Sequence, residues 1–239
     1  MVNFFTFKWG NKYDSVYVNR LYRSIQKHYD GPFKFYCITD NSIDINSDIQ
    51  IIDFNTFDPF DYPKDRVWTR EKLVLFKKFK IGINVWIDLD ILIHNDITDA
   101  VHNVQKSPTF IWNHWRWDPE DNRKSYGRGY TCYINSSFVR WEGNQGEHIF
   151  DALWKDRKYA FYTYNSFDKY LFYHHWRKNH LTFWDKSLWY NYNFSIPKHE
   201  YNSNALGCLF NTSHITDVYE SDALELHEAK GWAYELWTS

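Results

Sequence analysis

The residues whose chemistry is plainest are Asp88 and Asp90, set in the run Val85-Trp86-Ile87-Asp88-Leu89-Asp90-Ile91-Leu92-Ile93. Two unpaired charges among such neighbours are costly, so something cationic must compensate them. In a regular strand, residues two apart share a face, which lets both carboxylates point at one ion as the strand ends. A hard divalent ion such as Mn²⁺ or Mg²⁺ takes oxygen ligands and keeps positions open for a diphosphate. Bound there, it would neutralise charge developing on a departing phosphate. Asp-x-Asp alone is common in turns; its place at the end of a buried apolar strand is what gives it weight.

The elements that must position this pair follow from periodicity. Val2 to Lys8 reads as a buried strand, followed by a turn at Trp9-Gly10-Asn11-Lys12. Asp14 and Ser15 can cap a helix carrying Val18, Leu21, Tyr22 and Ile25 at three-to-four spacing. Strands are expected at Phe33 to Ile38, ending in Thr39-Asp40, and at Ile49 to Asp53, before a loop from Asn55 to Asp65. The pattern predicts a helix over Trp68 to Phe79 and then Ile83 to Ile87, an unbroken apolar strand of the kind buried on both faces. This rhythm predicts an α/β fold with a mostly parallel central sheet flanked by helices, binding ligands at the carboxyl ends of its strands. The second half is less regular: strands near Thr109 to Trp112 and Cys132 to Trp141, a loop from His114 to Arg128, and helices near Glu147 to Lys155 and Phe167 to Trp176.

With 239 residues, one domain is expected, its donor-binding part about residues 1–105 and its acceptor part about 106–239. The 13 Trp, 19 Tyr and 19 Phe make up nearly half of the apolar residues. Their flat faces suit sugars and nucleobases, although most must simply fill the core. A formal charge of −2 gives no global attraction to a polyanion. Three widely spaced cysteines, Cys37, Cys132 and Cys208, form neither a disulfide framework nor a zinc knuckle, and point to a reducing compartment. No leader-like or membrane-spanning run is visible, so a cytoplasmic location without integral membrane association is expected, and the N-x-Ser/Thr sequences at Asn135, Asn193 and Asn211 read as chance.

Several stretches together resemble the GT-A class of nucleotide-sugar glycosyltransferases, and one bacterial and viral branch of it in particular. These are Lys8 to Tyr13 with Tyr17 to Leu21, Cys37-Ile38-Thr39-Asp40, the Asp88-Leu89-Asp90 strand, and Asn135 to Gly143. The matches run in order from near residue 4 to residue 232. The resemblance implies a metal-dependent transferase acting on a nucleoside-diphosphate sugar, with UDP preferred, and a GT-A fold. It implies that Thr6 to Lys8 and Tyr13 surround the base and ribose, with Asp40 close by. Asn135 and Ser136 would face sugar hydroxyls, and Asp168 would orient an acceptor hydroxyl or take its proton. His227 would join Asp88 and Asp90 on the metal, and Lys230 would neutralise the diphosphate. Two departures stand out: Lys169 follows Asp168 where relatives carry Gln or Glu, and the segment His227-Glu228-Ala229-Lys230-Gly231-Trp232 keeps the His, Lys and Trp but rearranges the rest.

Each residue also has a plainer reading. Tyr13 could be an aromatic capping the helix, Asp168 a helix cap after Ser166, and His227 a surface histidine. Arg70 and Lys72 could form a solvated helix face, the alternative to Lys72 reaching a phosphate of the donor. Two other classes compete: a metal-dependent phosphohydrolase, for which the first strand lacks an acid, and a non-catalytic sugar-binding module. For the acceptor, Trp112 to Trp117 with Arg123, Lys124 and Arg128 interleaves rings and cations as single-stranded nucleic-acid binders do, so a modified DNA base is an alternative to the preferred glycan.

Overall fold

The structure, a computed structural model, describes residues 1–60, 70–115, 132–164, 166–195, 197–210 and 224–239. The first strand, β1 (Val2–Lys8), is followed by α1 (Ser15–His28), whose first turn is capped by Asp14 accepting from the amide of Val16. Then come β2 (Phe33–Thr39), β3 (Gln50–Asp53) and a short α2 (Phe54–Phe57) that overlaps the start of the loop expected from Asn55. A 3-10 turn (Arg70–Leu73) leads into α3 (Val74–Lys78), and β4 (Ile83–Ile87) follows. Next in the chain are β5 (Ile91–Ile93), α4 (Thr98–His102), β6 (Thr109–Trp112) and β7 (Ile134–Glu142). Helices α5 (Glu147–Thr163) and α6 (Phe167–His174), strands β8 (Thr182–Phe183), β9 (Trp189–Asn191) and β10 (Gly207–Leu209), and α7 (Trp232–Thr238) complete the elements used below.

Seven strands form the central sheet in the order β3-β2-β1-β4-β7-β6-β8. The first four are mutually parallel, as the alternating helices and strands of the N-terminal half require, whereas β7 runs antiparallel to both β4 and β6. Side-chain alternation divides the core between the two faces. Val2 and Phe4 of β1 and Val85 and Ile87 of β4 pack with α1, while Phe5, Phe7 and Trp86 pack with α3, α5 and α6. Most of the aromatic residues named in these layers are core, with Trp86, Trp141 and Phe76 in mutual ring contact.

Two elements depart from expectation. Where one helix was predicted over 68–79, the described part is a 3-10 turn followed by little more than one turn of α-helix. Arg70, Glu71 and Lys72 are all buried there, and Arg70 and Lys72 turn inward to carboxylates, so these three residues do not form the solvated face of an amphipathic helix. Strand β4 has the bounds expected for it, Ile83 to Ile87, but the apolar run that contains it does not continue as a regular strand through Asp90. It leaves the central sheet after Ile87, turns through Asp88-Leu89-Asp90, and resumes as β5 in a separate three-stranded sheet of order β5-β10-β9.

Candidate functional site

The Asp88-Leu89-Asp90 turn lies at the carboxyl end of β4. The amide of Asp88 donates to the Ser137 carbonyl at 2.8 Å, and Phe210, just after β10, donates its amide to the Asp90 carbonyl at 2.9 Å. Leu89 is buried in the core and anchors the turn from below. The two carboxylates are therefore juxtaposed by a turn pinned between two sheets, not by the strand alternation expected above. Burial and the neighbouring Asp88 carboxylate push the Asp90 carboxyl above its ordinary value, with Lys12 and Lys72 opposing the shift.

Lys72 lies against Asp88, its Nζ 2.6 Å from Oδ1 and 2.7 Å from Oδ2. Only 7% of its side chain is exposed, which rules out the solvated-face reading. Asp90 has no such partner: among the described residues no lysine or arginine is in ion-pair contact with it, and its carboxylate accepts hydrogen bonds from the Tyr13 hydroxyl at 3.3 Å and from its own backbone amide. Burial, and then Asp90 and Asp88, hold the Tyr13 hydroxyl far above its ordinary range, so it serves Asp90 as a neutral donor. The helix cap beside it is Asp14, not Tyr13. A buried carboxylate, repelled by a second and lacking a cation of its own, is a fitting donor set for a hard divalent ion. Asp88 retains lone pairs for such an ion, since a carboxylate offers about four acceptor sites.

Asp168 occupies the first turn of α6 and Ser166 caps that helix, accepting from the Lys169 amide. Asp168 therefore is not the cap. Burial pushes its carboxyl up to about 6, opposed by hydrogen bonds from Ser136 and by the charge of Lys72, and Asp88 adds to the rise. Its Oδ1 is buried with no hydrogen-bond partner among the described residues. Ser136 is buried and its carbonyl accepts from Trp86 Nε1, while Asn135 Oδ1 accepts from the Ser137 amide. The β6–β7 register shifts in the stretch of β7 that includes these residues, an irregularity of the kind that re-aims side chains beside sites. Asp88, Asp90, Lys72, Tyr13, Ser136 and Asp168 thus form one neighbourhood.

The remaining candidates surround it at greater remove. His227 sits on a 3-10 turn (Leu226–Glu228) closed by reciprocal hydrogen bonds between Glu225 and Glu228. Its Nδ1 is 2.8 Å from the Tyr17 hydroxyl, and its side chain is 52% exposed. Tyr17 in turn packs on Tyr13, ring centroids 4.9 Å apart, which connects this turn to Asp90 without direct contact. Lys230 is exposed, and its backbone hydrogen-bonds Tyr192. Asp40 accepts the Gly10 amide at 2.9 Å, with Gly10 in the left-handed region at φ 64°, closing the loop after β1. Thr6 is fully buried in β1, and its hydroxyl has no partner among the described residues. Arg123, Lys124 and Arg128 lie outside the described residues.

Sequence reasoning missed Lys12, Tyr17 and Glu225 as parts of this neighbourhood. Lys12 Nζ lies 4.8 Å from the Tyr13 ring centroid and 3.8 Å from Glu225. The signals were the stretches Lys8 to Tyr13 and Tyr17 to Leu21, which contain Lys12 and Tyr17, and for Glu225 its proximity in sequence to His227.

No family model matches the sequence, and no curated protein is similar enough to it to count as a relative. Solved structures do match. Galactosyltransferase LgtC, in complex with donor and acceptor sugar analogues, superposes with a TM-score of 0.60 at 11% identity over 99% of this chain and 94% of that one. An active-site variant of LgtC gives 0.58 at 12% identity with the same coverage. The apo form of glycosyltransferase GlyE from Streptococcus pneumoniae TIGR4 gives 0.52 at 12% identity over 78% of this chain and 46% of that one. The chain has the GT-A fold of these glycosyltransferases.

Proposed function

We propose that the protein is a divalent-cation-dependent glycosyltransferase that moves a sugar from a nucleoside-diphosphate donor, a UDP-sugar in our reading, to a hydroxyl of a glycan. The observation that carries this reading is the buried Asp90 carboxylate beside Asp88, without a cationic side chain in ion-pair contact among the described residues, at the strand end where an α/β sheet receives ligands. Asp88 and Asp90, with His227 from the neighbouring turn, would hold Mn²⁺ or Mg²⁺, which neutralises charge on the departing diphosphate.

The chain's own residues supply the rest. Lys72 brings a buried positive charge to the same carboxylates and so to the phosphates they face. Lys230 adds an exposed cation for the leaving group. Asp168, with a buried oxygen that has no partner among the described residues, accepts the proton of the incoming hydroxyl or orients it. Ser136 and Asn135 bond sugar hydroxyls, and Thr6, Tyr13 and Asp40 border the nucleoside. We read the chain as one domain with its donor half at about residues 1–105 and its acceptor half at about 106–239. Among the described residues no helix is long and apolar enough to cross a membrane. The three free, buried cysteines suit a reducing cytoplasm.

The test is incubation with a panel of nucleotide sugars and Mn²⁺ or Mg²⁺, following transfer and slow donor hydrolysis. We expect cation-stimulated turnover in the wild type, and in Asp90→Asn a loss of about 10²-fold or more with the thermal melt preserved. Retention of most cation-stimulated activity by that variant would exclude the metal assignment. Phosphate release from simple esters would favour a phosphohydrolase, and inert sugar binding a lectin-like module.

A further inference from the structure

We propose that His148, His175 and His180 form a second metal site, for a borderline transition ion such as Zn²⁺, at the end of the central sheet opposite the Asp88–Asp90 turn. One ligand nitrogen from each of the three rings lies within 4.8 Å of the others. Strand β7 runs antiparallel to β4, with Phe138 opposite Ile87 and Glu142 opposite Ile83, so α5 begins at the far end of β4 from Asp88. His148 is in the first turn of α5 and His175 follows the last residue of α6. The chain then doubles back: residues 176–178 make a 3-10 turn and Asn179 adopts the left-handed conformation at φ 56°. That reversal returns the amide of His180 to the carbonyl of His175 at 3.2 Å and sets their rings side by side.

The spacing of the nitrogens suits an ion. His175 Nδ1 and His180 Nδ1 are 3.2 Å apart. Two imidazoles on one tetrahedral zinc, at bond lengths of about 2.0–2.1 Å, have nitrogens roughly 3.4 Å apart. His148 is exposed and on the rim, so its ring can close the remaining distance by rotation. Outer partners that orient metal-binding histidines are also present. His175 Nε2 is 3.3 Å from the Tyr170 hydroxyl, which leaves Nδ1 for a metal, and the backbone of Gln145 hydrogen-bonds His148. In the metal-free state one Nδ1 donates to the other, and the ring that carries that proton would change tautomer to bind. Three imidazoles without a carboxylate select zinc, cobalt, nickel or copper over the hard ions suited to Asp88 and Asp90, and solvent reaches a fourth position beside His148. Such an ion would clamp the start of α5 to the end of α6. Helix α6 carries Asp168 in its first turn, about 10 Å away along the axis at 1.5 Å per residue, so the clamp fixes the far end of the helix that positions Asp168.

Cobalt titration of the chelator-stripped full-length chain reads the site directly. We expect one equivalent of Co²⁺ to give the intense visible absorption of a four-coordinate, nitrogen-ligated ion, displaced by Zn²⁺, with Zn²⁺ raising the thermal midpoint. His148→Ala alters an exposed residue and should fold as the wild type by circular dichroism, yet lose the absorption and the thermal shift. Tyr170→Phe should weaken Zn²⁺ binding by about 10–100-fold. The Asp88→Asn/Asp90→Asn double variant should keep both signals, which separates this site from the one proposed above. Absence of the absorption, its survival in His148→Ala, or its loss in the aspartate variant alone would each overturn the assignment.

Discussion

The Asp168 carboxyl receives hydrogen bonds from Ser136, while its Oδ1 is buried with no partner among the described residues. Burial therefore raises its carboxyl from 3.8 to about 6, and the sign of the consequence is fixed. Below about pH 4 the group is protonated in both folded and unfolded chains, and its contribution to stability is fully present. As the pH rises toward 6 the unfolded chain ionises first, and that contribution is lost. Asp168→Asn should thus match the wild type in thermal melts near pH 4 and exceed it near pH 7.5, because the amide keeps an acceptor for Ser136 without a buried charge. The same substitution should remove the acid limb of the transfer rate near pH 6, a limb the wild type must show if the carboxylate form receives the acceptor proton. A melt that is lower for the variant at both pH values would refute the linkage. The Asp88–Asp90 pair was legible at this scale because apolar flanks make charged residues conspicuous. The partnership of Lys72 with Asp88 was not, since the helical pattern around Lys72 offered a solvated face and the burial of that turn comes only from tertiary packing.

At the scale of elements, the site depends on a sheet that periodicity could not reveal. Strands β5, β9 and β10 have three residues each, too short for alternation to register, and β10 joins β5 across more than a hundred residues of chain. By contrast β1, α1, β2 and β4 emerged close to their observed bounds, because each is long enough for its hydrophobic period to be read. The glycine at the centre of the small sheet shows how tightly it holds the Asp90 turn. A Cβ on Gly207 would lie 2.8 Å from the Leu92 carbonyl oxygen and 2.8 Å from the Trp189 ring. Gly207→Ala must push β10 away from β5, at a cost of about 1–3 kcal/mol for an overpacked site. Because Phe210 bonds the Asp90 carbonyl immediately after β10, the strain is delivered to the carboxylate turn. We expect Gly207→Ala to lower the denaturation midpoint in urea and to weaken cation-dependent nucleoside-diphosphate binding even at temperatures where the variant is fully folded. Unchanged affinity in the folded variant would show that the small sheet does not set the turn.

Across the whole molecule, the two ends of the chain meet at Tyr17. Its hydroxyl bonds His227 over a separation of 210 residues, and its ring packs on Trp237 of α7 at 5.0 Å, beside Arg20 at 4.0 Å from the same indole. The hydrogen bond occupies Nδ1 of His227 and leaves Nε2 for another ligand, the arrangement by which outer partners fix a metal-binding imidazole. Tyr17→Phe keeps the ring packing and deletes the hydroxyl's bonds to His227, that to Nδ1 and that to the backbone. Its effect on global stability should be about 1 kcal/mol or less, since the bond to Nδ1 is partly exposed and water can replace it. If His227 completes the cation site, calorimetric affinity for Mn²⁺ in the presence of a nucleoside diphosphate should fall about 10–100-fold, and His227→Ala should abolish any further effect of Tyr17→Phe. If His227 is only a surface residue, both variants will bind the cation as the wild type does, and the site reduces to Asp88 and Asp90.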